Sequence, residues 1–312
     1  MIVAMSLPVH VPVLLDEVIA GLQPQRGGYF VDCTVGLGGH AAAILEKISP
    51  SGRLLGIDAD PEAIKLSQDK LGDYCESVTL VNENFINLEA ICKRYHFHPV
   101  DGILFDLGVS SLQLDTAERG FSFHLDAPLN MRFDAEQGLT ASDIVNSFSE
   151  QELAKLIEKY GEERHNRRIA RHIVQNRPIA TTVELARLIE RASRGKRARI
   201  HPATRTFMAL RIAVNSELQN LELALKQTIN LLRPGGRLTV ISYHSLEDRI
   251  AKQFMRDAAS SCLCPPGTVM CRCGHKPTLK LISRKVIKPT SLETESNPRS
   301  RSAKLRVAER LN

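Results

Sequence analysis

Asp32 and Asp58 each close a short apolar run, and a glycine turn lies between them. The two runs read Tyr29-Phe-Val-Asp32-Cys-Thr-Val-Gly36-Leu-Gly38-Gly39-His40 and Gly52-Arg-Leu-Leu-Gly-Ile-Asp58. A glycine turn that opens a helix lets backbone N–H groups approach a ligand, and a carboxylate about twenty residues later accepts hydrogen bonds from ribose hydroxyls. The glycines alone leave the ligand open, because Gly36-x-Gly38-x-x-Ala41 also satisfies the dinucleotide fingerprint. Asp32 separates the two cases. It precedes the glycines, where a pyrophosphate would meet a fixed negative charge, whereas the ammonium and sulfonium groups of S-adenosyl-L-methionine would be attracted. The residues therefore predict a methyl-donor site on Asp32, Gly36 and Asp58, with NAD as the alternative.

The elements that must hold these side chains follow from hydrophobic patterning. Tyr29–Asp32, Gly52–Asp58, a segment from Ser77 to about Asn84 and Val100–Gly108 read as strands, and Asp60 caps a helix with Pro61 in its first turn. Strands alternating with helices predict an α/β fold, a parallel sheet covered on both faces, with ligands at the carboxyl ends of its strands. The alternation stops between about Glu118 and Ala213, where Glu150–Val174 and Thr182–Ser193 carry helical periodicity. It resumes with a helix over Asn215–Leu232, a tight turn at Arg233-Pro-Gly-Gly-Arg237, a strand from Leu238 and a helix over Leu246–Ala258. Short strands are expected at Ile282–Ile287 and Lys304–Ala308. The expected organisation is residues 1–117 and 214–312 for the sheet domain and 118–213 for a helical insertion.

Charge divides the chain unevenly. Residues 1–150 hold 9 Lys/Arg against 21 Asp/Glu, and residues 151–312 hold 32 against 14, within a net +6. A basic surface of that size attracts a polyanion, nucleic acid being the commonest, although Arg and Lys on a helix also serve as a solvated face. The first fifteen residues lack a basic n-region and are interrupted by Pro8 and Pro12, and no apolar run reaches membrane-spanning length, so a cytoplasmic protein with no membrane partner is expected. Seven cysteines in 312 residues are too few for a disulfide scaffold and are expected to be reduced.

The fourth strand ends in Asp106-Leu-Gly-Val-Ser110-Ser111-Leu-Gln113. Further blocks are Glu118-Arg-Gly-Phe-Ser-Phe, Leu129-Asn-Met-Arg132, Tyr160-Gly-Glu-Glu-Arg164, His201-Pro-Ala-Thr-Arg205, Val214-Asn-Ser-Glu217 and Ser242-Tyr-His244-Ser-Leu-Glu-Asp-Arg249. With Gly36-Leu-Gly-Gly-His40, these blocks closely resemble the ribosomal RNA small subunit methyltransferase H family, from about His10 to the C-terminus. The resemblance implies a class I S-adenosylmethionine-dependent methyltransferase, a Rossmann-like core with an inserted all-helical domain, that methylates N4 of a cytidine in the decoding region of 16S rRNA in the small ribosomal subunit. It implies a cofactor site of Gly38, Gly39, His40, Asp58, Phe85, Asp106 and Gln113. Because a cytosine amine is a poor nucleophile that must be held in line with the donor methyl, Asp106, with help from Ser110 or nearby backbone carbonyls, is expected to orient that amine or the adjoining cofactor. Base amino-group methyltransferases more often carry Asp/Asn-Pro-Pro-aromatic after the fourth strand. Here that slot reads Asp106-Leu-Gly-Val, which leaves Phe121, Phe123 and Tyr243 as candidates to stack on the base.

RNA contacts are expected from Arg132, Arg164, Arg168, Arg197, Arg199, Arg205 and His244, although a capped helix start at Ser245 accounts for part of the last block. Cys262-x-Cys264 and Cys271-x-Cys273 gather four thiols, but C-x-C is tighter than the usual structural zinc spacing, so a reduced loop is expected over a metal. A rival to the enzyme is an RNA-binding assembly factor on an inert methyltransferase fold. Oligomeric state, a homodimer included, is left open by the sequence.

Overall fold

The computed structural model describes residues 11–134, 138–193, 200–265, 267–268 and 270–312. The chain divides into two compact units, Met1–Gly108 with Asn220–Asn312, and Val109–Gln219. In the first, α1 (Leu15–Leu22), β1 (Tyr29–Asp32), α2 (Gly39–Ile48), β2 (Arg53–Asp58), α3 (Pro61–Lys70), β3 (Val78–Asn82), α4 (Leu88–Arg94) and β4 (Val100–Asp106) alternate. The second holds α5 (Ser111–Asp115), α6 (Ala141–Ser147), α7 (Glu150–Gly161), α8 (Asn166–Gln175), α9 (Thr182–Ala192) and α10 (Ala203–Asn215). The chain rejoins the first unit within α11 (Glu217–Leu231) and continues through β5 (Leu232–Ser242), α12 (Ser245–Ala259), β6 (Leu279–Leu281), α13 (Ser291–Ser296) and β7 (Lys304–Arg310).

The sheet runs β3-β2-β1-β4-β5-β7-β6. The first five strands are parallel, as helical crossovers require, and β7 is antiparallel to both neighbours. Successive residues leave opposite faces: Val31, Leu55, Ile103 and Val240 pack with α4, α11 and α12, while Phe30, Leu54, Leu104 and Ile241 pack with α1 and α2. Strand order reverses between β1 and β4, a topological switch point where the crossovers part and leave a crevice at the carboxyl ends. Asp32 and Asp106 end those two strands, and Asp58 ends the next one along.

The helical unit has its own core of Leu153, Ile157, Ile169, Ile173, Leu185 and Ile189 with residues of α6 and α10. The helical stretch expected over Glu150–Val174 is two helices, because Glu162 adopts a left-handed φ of 47° and ends α7. The long helix expected from Asn215 begins two residues later for the same reason, Ser216 having φ 52°. The Arg233–Arg237 turn is a bulge inside β5: Leu232 pairs with Val100 and Arg237 with Gly102, so the intervening residues loop out. In the tail, the strand expected at Ile282–Ile287 lies instead at Leu279–Leu281, and Ile287 makes only an isolated bridge to Leu305. Among the described residues, no helix is long and apolar enough to cross a membrane.

Candidate active site

Three carboxylates stand at the carboxyl ends of these strands, Asp32 and Asp58 held by main-chain donors and Asp106 by a side-chain hydroxyl. Asp32 is 1% exposed and its Oδ1 accepts the Thr34 N–H at 3.1 Å. Thr34 then reaches the neighbouring strand, its Oγ1 accepting the Asp106 N–H at 2.7 Å, which locks the ends of β1 and β4 together. Asp58 accepts from Asp60 N–H on Oδ1 and from Gly36 N–H on Oδ2, both at 2.9 Å. That second bond draws the glycine turn onto the end of β2. The turn needs glycine at Gly36 and Gly38, whose φ values of 51° and 74° lie in the left-handed region, and Gly38 is the N-cap of α2. The Gly36 and Gly38 amides are thus bonded within the protein, to Asp58 and to Val35 O, rather than set free for a ligand. The two oxygens of Asp58 offer roughly four acceptor sites, more than its main-chain bonds occupy.

His40 is 6% exposed, neither a cap nor solvent-facing. Its Nε2 meets Val13 O at 3.0 Å and its Nδ1 lies 3.5 Å from Asp106 Oδ2. A carbonyl can only accept, so Nε2 carries the proton and Nδ1 turns a lone pair toward the carboxyl of Asp106. Tyr243 donates its hydroxyl hydrogen to Asp106 Oδ1 at 2.8 Å.

Burial dominates the electrostatics of the three acids. Burial pushes Asp32 up to about 7, opposed chiefly by His40. Burial likewise raises Asp106 to about 7 against the Tyr243 hydrogen bond, and Asp58 to about 6 against its amide donors. Burial lowers His40, which favours the neutral ring. Among the described residues no lysine or arginine pairs with these three acids. A ligand carrying two cationic centres and a ribose matches this donor set, and an anionic pyrophosphate does not. Replacing Asp58 by Ala is expected to weaken S-adenosylmethionine binding by about 1.5–3 kcal/mol with the fold kept. Unchanged affinity of the folded variant by isothermal titration would remove Asp58 from the ribose.

Phe85, just past β3, is half-buried and meets Phe105 edge to face at 5.5 Å. Ser110 and Gln113 form a capping box at the start of α5: Ser110 Oγ accepts the Gln113 N–H and Gln113 Oε1 accepts the Ser110 N–H. His244 is the N-cap of α12, its Nδ1 accepting the Glu247 N–H at 3.3 Å, which explains its position without RNA. Phe121 is buried in the helical core and stacked on Phe133, and Phe123 is stacked on His201. Neither ring is a bare platform.

Of the candidate arginines, Arg164 is exposed, Arg168 is partly buried on α8, Arg132 bonds Asn130 Oδ1, and Arg205 sits 3.6 Å from Glu163. Arg197 and Arg199 lie outside the described residues. Thr34, Val13 and Tyr243's hold on Asp106 are the parts that sequence reasoning missed, and none carries a local signal. A cavity of about 740 Å³ between α11 and α12, lined by Leu225, Ile229, Ile250 and Phe254 among others, includes none of the three acids.

Comparison with known proteins places the chain among methyltransferases. The model of the MraW methylase family matches residues 8–311. A protein named ribosomal RNA small subunit methyltransferase H from Dehalococcoides mccartyi is 59% identical over 302 residues, 97% of this chain and 86% of that protein. Its namesake from Brevibacillus brevis is 50% identical over 97% of this chain and 98% of its own length. A crystal structure of an rRNA methylase from Streptococcus thermophilus is 12% identical, with a TM-score of 0.43 over 99% of both chains.

Proposed function

The chain belongs to the MraW methylase family, and we propose that it is an S-adenosylmethionine-dependent enzyme methylating N4 of a cytidine in the decoding region of 16S rRNA. The observation that carries this reading is the meeting of Asp32, Asp58 and Asp106 at a sheet switch point beside a glycine turn, three carboxylates that no lysine or arginine pairs with among the described residues. The donor supplies a methyl group on a positively charged sulfur. Asp32 faces the cationic amino-acid end, Asp58 takes the ribose hydroxyls and Phe85 packs on the adenine. Asp106 accepts a hydrogen bond from the cytosine amine and holds it in line.

The helical unit is assigned to RNA recognition. On and beside α8, Arg164 and Arg167 are exposed and Arg171 is 3.4 Å from Glu150. Reversing Arg164 and Arg167 to Glu is expected to raise the RNA KM, to flatten the salt dependence of RNA binding by roughly one to two in slope, and to spare donor binding. An unchanged KM and slope would assign these residues to a solvated face.

The function itself is tested by incubating the chain with methyl-labelled donor and either naked 16S rRNA or assembled small subunits, followed by nucleoside mass spectrometry. N4-methylcytidine in either substrate is the expected product. Label in another nucleoside, or none in both, would overturn the assignment.

A further inference from the structure

Between α12 and β6 the chain gathers Cys262, Cys264, Cys271 and Cys273, whose sulfurs all lie within 4.8 Å of one another. Measured pairs are 3.3 Å for Cys262–Cys271, 3.5 Å for Cys271–Cys273, 3.8 Å for Cys262–Cys273 and 3.9 Å for Cys264–Cys271. Four sulfurs at 2.3 Å from a central zinc stand about 3.8 Å apart along each tetrahedral edge. The observed spacings bracket that edge. They exceed an S–S bond of about 2.05 Å, and all four cysteines are free. A four-iron cluster would place each thiolate on a separate iron and spread the sulfurs beyond mutual contact, so the geometry selects a single ion.

The tight C-x-C spacing is accommodated because the pairs interleave: Cys271 touches both Cys262 and Cys264, and Cys262 touches both Cys271 and Cys273. Two main-chain donors already point at the sulfurs, Leu263 N–H to Cys273 and Cys264 N–H to Cys262, each at 3.4 Å. Such donors stabilise thiolate charge around a bound metal. The loop is fixed at its base as well, where His275 Nε2 meets Asp257 O at 3.0 Å and Thr278 N–H donates to Ala258 O at 2.7 Å.

We propose that these four cysteines form a structural tetrathiolate zinc site that clips the segment between α12 and the edge strand β6. Binding forms four Zn–S bonds, releases the thiol protons to solvent and involves no change of oxidation state. The clip holds β6 in register on β7, remote in role from the methyl-transfer acids.

The test uses the full chain expressed without a polyhistidine tag. Elemental analysis is expected to return roughly one zinc per chain, absent from C262S/C271S and retained in C75S, whose cysteine is exposed and outside the cluster. Cobalt replacement should show thiolate-to-metal charge-transfer absorption. Chelation of the parent should raise amide exchange across residues 260–281 by about tenfold or more. A metal-free parent whose four thiols all react with a thiol reagent in the native state would overturn the proposal. So would intact-mass evidence of disulfides among them, or iron in place of zinc.

Discussion

Replacing Asp32 by Asn is expected to give a chain that melts at a higher temperature than the parent at pH 8 and has lost most of its affinity for S-adenosylmethionine. Asp32 is 1% exposed, and burial raises it from 3.8 to about 7. The native state therefore holds the proton more tightly than the unfolded chain does. Unliganded stability from this group is fully present below about pH 4 and is lost as pH climbs through about 7. At pH 8 the ionised side chain costs up to about 4 kcal/mol.

An amide keeps the bond from Thr34 N–H and removes the charge, which also relieves Asp58 and Asp106 nearby. A net gain of about 1–3 kcal/mol follows, at about 2–4 °C per kcal/mol for a unit of this size. The ligand side moves the other way: without the carboxylate the cationic end of the donor loses its counter-charge, and affinity should fall about thirtyfold or more. Thermal melts without ligand and titration calorimetry with it supply both numbers. A lower melting temperature with unchanged affinity would make Asp32 a structural residue.

Asp32, Asp58 and Asp106 are readable in the sequence because strand ends follow from apolar runs, and strand ends are where a parallel sheet exposes its ligand crevice. What connects them is not readable. Thr34 to Asp106 spans 72 residues and Tyr243 to Asp106 spans 137, so only the folded sheet brings them together. His40 alone gives no sign that it is buried, since its partner Val13 belongs to a segment before the first strand.

Ser110-x-x-Gln113 shows the converse. It is a legible capping pattern, and the structure uses it as one. The split after α7 escaped because Glu162, not glycine or proline, takes the left-handed turn. The β-branched residues of Ile282–Ile287 suggested a strand, but β7 pairs with Leu279–Leu281 instead.

At the chemical step, Asp106→Asn should lower kcat about a hundredfold while the RNA KM changes little. The exocyclic amine of cytosine is a poor nucleophile because its lone pair is delocalised into the ring, so it must be held in line and must donate a hydrogen bond to an acceptor. In the proposed role, ionised Asp106 is that acceptor. Its Oδ1 is oriented by the Tyr243 hydroxyl at 2.8 Å, and the His40 Nδ1 lone pair near Oδ2 cannot compete as a donor. Burial raises Asp106 to about 7, with Glu247 adding to the rise and Tyr243 opposing it. With donor saturating, kcat should therefore climb with pH up to about 7 and then level.

Tyr243→Phe removes the hydrogen bond that favours the ionised carboxyl, so the rising limb should move about one pH unit higher. A merely structural tyrosine would lower the rate without moving that limb. No thiol is needed: burial pushes the Cys33 thiol up, which keeps it protonated, and Cys33→Ala should stay active. Single-turnover rates across pH 5.5–9 test the set. Full turnover by Asp106→Asn, a limb unmoved by Tyr243→Phe, or a covalent adduct with 5-fluorocytidine RNA would each refute this account: the first removes the need for a charged acceptor, the second the Tyr243 hold on it, and the third direct transfer to the amine.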